Sequence, residues 1–193
     1  MRLPEYAEIN GKKYKINTDY RIALECNKVA QDKTIGDLER ALGVIYLLYG
    51  EDGINAEDDY QKLLEIGKKY LSCGKEIENT MKEPDMDFEQ DFGLIWASIY
   101  SEYNGTDIDK EEIHWWRFMD MLNGLSNSEI GNCCVLNRVR NIRNFDLNSV
   151  QDGKIKQQIK EEKDRVALKK ELTEEQKQSI NQILKDLGIA KEG

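Results

Sequence analysis

Histidine, the side chain most often used in acid–base catalysis, is scarce in this chain of 193 residues. His114 is the only histidine, so no second imidazole exists to complete a metal site or a proton relay. The sequence also contains no Walker loop, no Gly-x-Gly-x-x-Gly and no His-Glu-x-x-His motif. We therefore expect a protein that is not an enzyme, with no catalytic, cofactor-binding or metal-binding residues and no cofactor.

Two interpretations are open for the four cysteines: ligands or a bridge, or reduced thiols in the core. They are Cys26, Cys73, Cys133 and Cys134. None is spaced as Cys-x-x-Cys, and adjacent cysteines seldom serve one metal or one disulfide. Because free cysteine is usually buried, the pattern favours reduced core thiols.

Acidic side chains crowd residues 85–91, where Asp, Asp, Glu and Asp alternate with other residues. These carboxylates could hold a metal or form an acid and base pair. Alternatively they open a helix, whose N-terminal end favours negative charge. No histidine lies nearby and helix starts commonly attract acids, so we favour the helix start.

A β-hairpin is predicted near the beginning of the sequence, where Asn10 and Gly11 lie between two strand-like runs. Counting outward from that turn pairs Glu8 with Lys13. The apolar face then consists of Ile9, Tyr14 and Ile16. Because an isolated hairpin is marginal in water, this face is expected to pack on helices.

Beyond the hairpin, apolar residues recur with helical spacing, and Pro4 and Pro84 are the only prolines. Helices are predicted over residues 19–31, 37–50, 56–73, 87–104, 110–124, 128–141, 151–170 and 174–187. Their predicted N-terminal caps include Asn55, Asp109 and Thr173. The expected fold class is mostly α, a helical bundle with a small N-terminal β-hairpin and a C-terminal helical extension. The corresponding domains are residues 1–18, 19–148 and 149–193.

Two apolar stripes of aromatic-rich composition mark the middle of the chain. The first consists of Phe88, Phe92, Ile95, Ile99 and Tyr103, and the second of Trp115, Phe118, Met119, Leu122 and Leu125. Both follow helical spacing, so we expect an antiparallel helix pair that forms the core. His114 is expected to be an inert residue on the helix surface.

Trp116 lies about 100 degrees around a helix from Trp115, so both rings cannot be equally central to one stripe. Either Trp116 covers the rim of the core or it is an exposed anchor for a partner, a role in which tryptophan is common. The candidate partner-binding residues are Trp115, Trp116, Tyr100, Tyr103, Ile180, Ile183, Leu184 and Leu187.

The last four of these residues form an apolar stripe in a C-terminal segment that is otherwise highly charged. This stripe either packs back on the body of the protein or docks on another subunit or a client, and the sequence leaves both alternatives open. Deletion from Leu172 onward is expected to leave a folded monomer with weaker self-association or client binding.

Charge disfavours a nucleic-acid partner, because the formal net charge is −9. One basic patch contains Arg138, Arg140 and Arg143. These arginines either form ion pairs with the acidic body, which we favour, or contact DNA in a regulatory protein. The sequence also lacks a signal-like start and any apolar run of about 20 residues, so we expect no membrane partner and a cytoplasmic location.

The segment from residue 85 to residue 145 resembles a known family. It contains Asp-Phe-Gly-Leu-Ile-Trp from Asp91, His-Trp-Trp-Arg-Phe over residues 114–118, Leu-Asn-Gly-Leu over 122–125 and Arg-Asn-Ile over 140–142. These motifs are similar to those of the "gene product fifteen" family of tailed phages and prophages of Gram-positive hosts. A turn at residues 103–108 departs from the usual family pattern.

The resemblance implies a tail assembly chaperone that acts in the host bacterial cytoplasm and is absent from the mature virion. Its implied partners are the tape-measure protein and the tail tube protein, and it could form a homo-oligomer. The alternative from a different class is a structural tail component that remains in the particle. A DNA-contacting regulatory protein is the third hypothesis.

Overall fold

The computed structural model describes residues 3–75, 84–127 and 133–169. The chain divides into one unit of residues 1–144 and a second unit of residues 145–193. In the described part of the first unit, the strands are β1 (Tyr6–Ile9) and β2 (Lys12–Lys15), and the helices are α1 (Tyr20–Gln31), α2 (Asp37–Ile54), α3 (Tyr60–Leu71), α4 (Phe92–Glu102), α5 (Trp115–Asn123) and α6 (Val135–Asn144). The mostly helical fold with an N-terminal hairpin is confirmed.

The hairpin forms in the predicted register. Strands β1 and β2 are antiparallel and pair Glu8 with Lys13. Asn10 and Gly11 have φ angles of 51° and 82°, the left-handed region that a tight two-residue hairpin turn requires. The hairpin face formed by Ala7, Ile9, Tyr14 and Ile16 is buried. Because β1 contacts α3 and β2 contacts α2, the hairpin is covered by helices as expected.

Helix α2 is longer than predicted and bends at Gly50. The sequence predicted an end at this glycine, and its φ of 62° and ψ of −151° do interrupt the helical backbone. Helical structure resumes and continues to Ile54, where the Tyr60 hydroxyl donates to the Ile54 carbonyl. Asn55, predicted as an N-terminal cap, instead lies at the C-terminal end of α2. A 3₁₀ turn at Glu57–Asp59 leads into α3.

The predicted start of α5 at residues 109–110 is wrong, because α5 begins at Trp115 with His114 as its cap. Asp109 lies in a non-helical segment in which Ile108 and Ile113 are buried. Helix α4 also begins later than predicted, at Phe92 rather than near residue 87. The acidic segment therefore precedes the helix instead of forming its first turn.

The two aromatic stripes contribute to a broader core than the expected helix pair. Ile95, Ile99, Trp115 and Phe118 are buried, and α4 contacts α5. However, α4 also packs on α6, and α5 packs on α1, where the Tyr20 ring stacks on the Phe118 ring at 4.3 Å. The core continues through α2 and α3 to the hairpin, so the pair is one part of it.

The second unit contains helix α7 (Gly153–Val166) in its described part. The Asp152 carboxylate accepts the backbone N–H groups of Lys154 and Ile155 and so caps the helix. The Lys163 ammonium donates to the Phe145 carbonyl at 2.6 Å. None of the residues of α7 is buried, and Ile155 is 49% exposed. The helix predicted over residues 174–187 lies outside the described residues.

Candidate partner-binding surface

His114 is a helix cap that connects three parts of the first unit. Its Nδ1 accepts the backbone N–H of Trp116 at 3.1 Å, and its Nε2 lies 3.0 Å from the Pro4 carbonyl oxygen. Because the Trp116 N–H can only donate, Nδ1 is the acceptor. The Nε2 therefore carries the ring proton and donates it in a hydrogen bond to the Pro4 carbonyl oxygen. The edge of the ring also meets the Tyr70 ring. His114 is therefore a structural residue rather than the inert surface residue expected from the sequence.

Both tryptophans at the start of α5 are tied to the end of α3. The Trp115 Nε1 donates to the Leu71 carbonyl at 3.0 Å, and the Trp116 Nε1 donates to the Tyr70 carbonyl at 2.9 Å. Carbonyls in the last turn of a helix lack partners within that helix, so the Trp115 indole satisfies a carbonyl that would otherwise need water. The Tyr70 carbonyl also accepts the Cys73 backbone N–H at 3.0 Å, so the Trp116 indole is its second donor. We call this arrangement the α3 clamp.

Burial distinguishes the two clamp residues from a free surface. Trp115 is 2% exposed and lies against the rings of Phe88 and Phe118. Trp116 is half-buried and covers the Tyr70 ring at 6.3 Å and the backbone at Gly74. These contacts favour the interpretation of Trp116 as the rim of the core. A direct partner contact through Trp115 would need this packing to open.

Of the four candidate residues that the structure describes, Tyr100 is the most accessible, at 45% exposure. Its ring stacks on the half-buried Trp96 ring, with the centroids 4.9 Å apart. The Trp96 Nε1 donates to the Asp107 carboxylate at 3.0 Å. Hydrogen bonds from Lys110 and Trp96 lower the pKa of Asp107 from its ordinary value. An anchored aromatic pair therefore faces solvent beside the turn that follows α4.

A cleft of about 440 Å³ opens between this turn and α5. Its lining residues are Tyr103, Asn104, Gly105, Thr106, Glu111, Arg117 and Met121. We call it the turn cleft. Tyr103, predicted from the sequence as a partner-binding residue, donates its hydroxyl to the carbonyl of Met121, another lining residue, at 2.9 Å.

The segment behind the turn cleft is held by α1. The Arg21 Nη2 donates to the carbonyls of Ile108, Asp109 and Glu111 at 2.7, 3.0 and 3.1 Å. The Tyr20 hydroxyl also donates to the Ile108 carbonyl at 3.0 Å. This anchoring explains why residues 108–113 follow a non-helical path, since Arg21 binds carbonyls that a helix would use internally.

The acidic segment and the basic patch meet as ion pairs. Arg143 and the buried Asp91 form a two-point contact, with N–O distances of 2.6 and 2.8 Å. Arg140 pairs with Asp85 at 3.2 Å. The predicted interpretation of Arg140 and Arg143 as partners of the acidic body agrees with this geometry. Arg138 is exposed, and its guanidinium makes no hydrogen bond or ion pair with the described residues.

The pKa of the Asp91 carboxyl is lowered from its ordinary value despite burial of the group. Loss of water would raise the pKa of this carboxyl, but hydrogen bonds from Arg143 and from the Asp87 amide, together with the charges of Arg143 and Arg140, lower it below the ordinary 3.8. An ionised Asp91 is therefore the form that the fold stabilises.

All four cysteines are free thiols in the structure. Cys26 and Cys134 are buried, whereas Cys73 and Cys133 are half-buried. Burial raises the pKa of Cys26 to about 12 and that of Cys73 to about 11. The two core cysteines match the expected interpretation, and the other two lie nearer the surface.

The family comparison identifies the wider relationship of this chain. The family model described as Bacteriophage Gp15 protein matches residues 1–168. This chain belongs to the Bacteriophage Gp15 family. The match confirms the resemblance based on residues 85–145 and extends it across the β-hairpin and α7. No curated protein and no solved structure matches the chain.

Neither a metal site nor a membrane-spanning helix is found in the described part of this Gp15 protein. Among residues 3–75, 84–127 and 133–169, no group of three or more histidine, cysteine, aspartate or glutamate side chains is arranged to hold a metal ion. None of the helices in these ranges is long and apolar enough to cross a membrane. Ile180, Ile183, Leu184 and Leu187 lie outside the described residues, so their partner-binding role stays a prediction.

Sequence reasoning on this Gp15 protein missed Arg21 and Arg117. Arg21 follows Asp19 at the start of α1, and the sequence carries no sign that its guanidinium reaches residues 108–111. Arg117 lies between the second tryptophan and Phe118 in the family motif. Its position on the exposed side of the aromatic stripe was the available signal that it faces solvent.

Proposed function

We propose that this Gp15 protein is a tail assembly chaperone, a non-enzymatic protein that binds the tape-measure protein and assists assembly of the tail tube around it. Membership of the Gp15 family carries the proposal. The motif resemblance associates that family with tail morphogenesis genes, in the position of the tail assembly chaperones. Its place of action is the cytoplasm of the bacterial host.

Apolar side chains on the surface support a protein-binding role. On α2, Leu38 and Tyr46 are 69% and 57% exposed, and the half-buried Leu42 lies between them at helical spacing of four. On α4, Tyr100 adds an exposed ring. Side chains of this kind suit helix-in-groove contacts with another polypeptide.

The chemistry of a tape-measure protein fits such a surface. A long helical chain with apolar stretches aggregates unless those stretches are covered. Many copies of a small acidic protein, each making a weak apolar contact, could cover such a chain and keep it dispersed. The formal net charge of −9 on each copy would favour solubility of the complex.

Co-expression with the tape-measure protein of the same phage tests this function. We expect the tape-measure protein to move from the insoluble to the soluble fraction and to co-purify with this chain. A double variant, Leu38→Glu and Tyr46→Glu, is expected to fold and to rescue less tape-measure protein. An unchanged insoluble fraction with the unaltered chain would reject the chaperone role.

Mass spectrometry of purified particles separates the chaperone from a structural tail component. We expect tape-measure and tube peptides without peptides of this chain. Stoichiometric recovery of this chain from washed particles would favour the structural alternative instead.

A further inference from the structure

The turn cleft combines a concave shape with one charged group, Arg117, whose side chain has no partner among the residues that the structure describes. Its volume of about 440 Å³ lies within the range of ligand-binding pockets, about 300–1,000 Å³. Tyr103 and Met121 provide apolar lining, and Arg117 and Glu111 provide the charges. The cleft lies on described residues of the first unit, between the end of α4 and α5.

Arg117 is the group with unused binding capacity. Among the described residues, its guanidinium makes no hydrogen bond or ion pair. Glu111 is occupied differently, since its Oε1 accepts the Asp107 backbone N–H at 3.0 Å. A planar guanidinium binds a carboxylate through two parallel hydrogen bonds, and Arg143 shows this geometry with Asp91 elsewhere in the chain.

The cleft is rigid enough to bind without large rearrangement. The Tyr103 carbonyl accepts the Thr106 hydroxyl at 2.7 Å, and the Asp107 carboxylate accepts the Asp109 amide at 3.2 Å. Arg21 holds the carbonyls just beyond the turn. A site that is ordered before binding loses less conformational entropy when the ligand arrives.

We propose that the turn cleft binds a short peptide segment of the client in which an acidic side chain lies beside an apolar one. The carboxylate pairs with Arg117, and the apolar side chain packs on Tyr103 and Met121. This inference rests on the proposed function, because the client is the tape-measure protein. A free inorganic anion fits less well, since it would gain one exposed charge contact beside Glu111 and bury no apolar surface.

Overlapping synthetic peptides that tile the tape-measure sequence test the cleft, with binding followed by fluorescence anisotropy. The variants are Arg117→Glu and the matched control Arg138→Glu, which makes the same charge change on an exposed arginine of α6 whose side chain pairs with none of the described residues. We expect Arg117→Glu to weaken the best peptide by about tenfold or more and the control by less than about twofold. Replacing the acidic residue of that peptide with glutamine should remove most of the difference.

The outcomes separate the two proposals. Equal binding of the peptides and of full-length tape-measure protein to both variants would overturn the cleft and leave the chaperone function standing. Failure of the unaltered chain to bind full-length tape-measure protein would remove the chaperone function and the cleft inference with it. Loss of self-association in Arg117→Glu with unchanged peptide binding would assign the cleft to a second copy of this chain and overturn the proposal. Circular dichroism of both variants checks that the fold is intact.

Discussion

Tryptophan and arginine side chains are bonded within the fold in one region of the first unit, whereas in another region an arginine and a tryptophan-stacked ring face solvent. In the α3 clamp, Trp115 and Trp116 donate both indole N–H groups to carbonyls of α3, and Arg143 of α6 is likewise paired inside the fold, with buried Asp91. Around the turn cleft, the exposed Tyr100 stacks on Trp96 and Arg117 has no partner among the described residues. Residue type alone therefore does not reveal a binding surface, because hydrogen-bonding capacity already used inside the fold cannot serve a partner.

The largest expected difference between the regions concerns ring removal. Trp115→Ala deletes a buried ring and should lower the free energy of unfolding by about 3–5 kcal/mol. Tyr100→Ala deletes an exposed ring and should change it by less than about 1 kcal/mol. Urea denaturation followed by circular dichroism measures both. Similar losses for the two variants would mean that Tyr100 belongs to the core and would break the comparison.

A smaller difference is expected for the arginines. Arg143→Ala leaves the Asp91 carboxylate buried without its partner and should cost about 3 kcal/mol of stability. Arg117→Ala should change stability by no more than about 0.5 kcal/mol, because exposed side chains without partners contribute little. The same denaturation experiment applies. A large loss for Arg117→Ala would show that this side chain has a structural role and would weaken the case for the cleft.

Trp116→Phe sharpens the comparison at the level of one hydrogen bond. The phenyl ring keeps much of the packing on Tyr70, but the Tyr70 carbonyl loses the indole donor and keeps only the Cys73 backbone N–H, and we expect a cost of about 1 kcal/mol. Trp96→Phe loses a hydrogen bond to Asp107, which keeps its contact with Lys110 at 2.8 Å. Its expected cost is about 0.5 kcal/mol or less. A larger loss of stability for Trp96→Phe than for Trp116→Phe would indicate that water readily replaces the indole at the Tyr70 carbonyl.

The smallest expected effect is a change in the slope of stability against pH, and this change is confined to acidic pH. Because the folded pKa of Asp91 is lowered, its contribution to stability is present above the ordinary value of 3.8 and is lost as pH falls through the lower folded pKa. Asp91→Asn should therefore be less stable at neutral pH and have a flatter stability profile below about pH 4. Chemical denaturation at several acidic pH values measures the slope. An unchanged slope would contradict the assigned ionisation.

Local signals predicted the parts of the fold that depend on neighbours in sequence. The Asn10 and Gly11 turn specified the hairpin register, because both residues tolerate positive φ. The helical spacing of apolar residues located α1 to α3 to within a few residues at most ends. The predicted start of α5 was wrong because the sequence of residues 109–113 resembles a capped helix start. In the structure, Arg21, which lies about ninety residues earlier in the sequence, hydrogen-bonds carbonyls of this segment that a helix would use internally.

The candidate surface was predictable only in part. Sequence reasoning named Tyr100 and Tyr103 as candidate partner-binding residues, and these lie beside and in the turn cleft. It also singled out Trp115 as a partner-binding residue, and the structure places this ring in the core. Spacing identifies which helix face is apolar, but whether a neighbouring element covers that face depends on tertiary packing. Arg117 was not predicted as a site residue because the cleft that it lines forms only when the turn after α4 lies beside α5.

The path of the chain around Thr18 has a consequence for synthesis on the ribosome. The Thr18 carbonyl accepts the Trp115 amide at 2.7 Å, and the Tyr20 amide donates to the Ile113 carbonyl at 2.9 Å. An emerging polypeptide therefore exposes this early edge until nearly a hundred further residues have left the exit tunnel. Trp115 must therefore be synthesised before the start of α1 can form these hydrogen bonds. A protein proposed to cover the apolar surface of another chain thus has an uncovered edge of its own during synthesis.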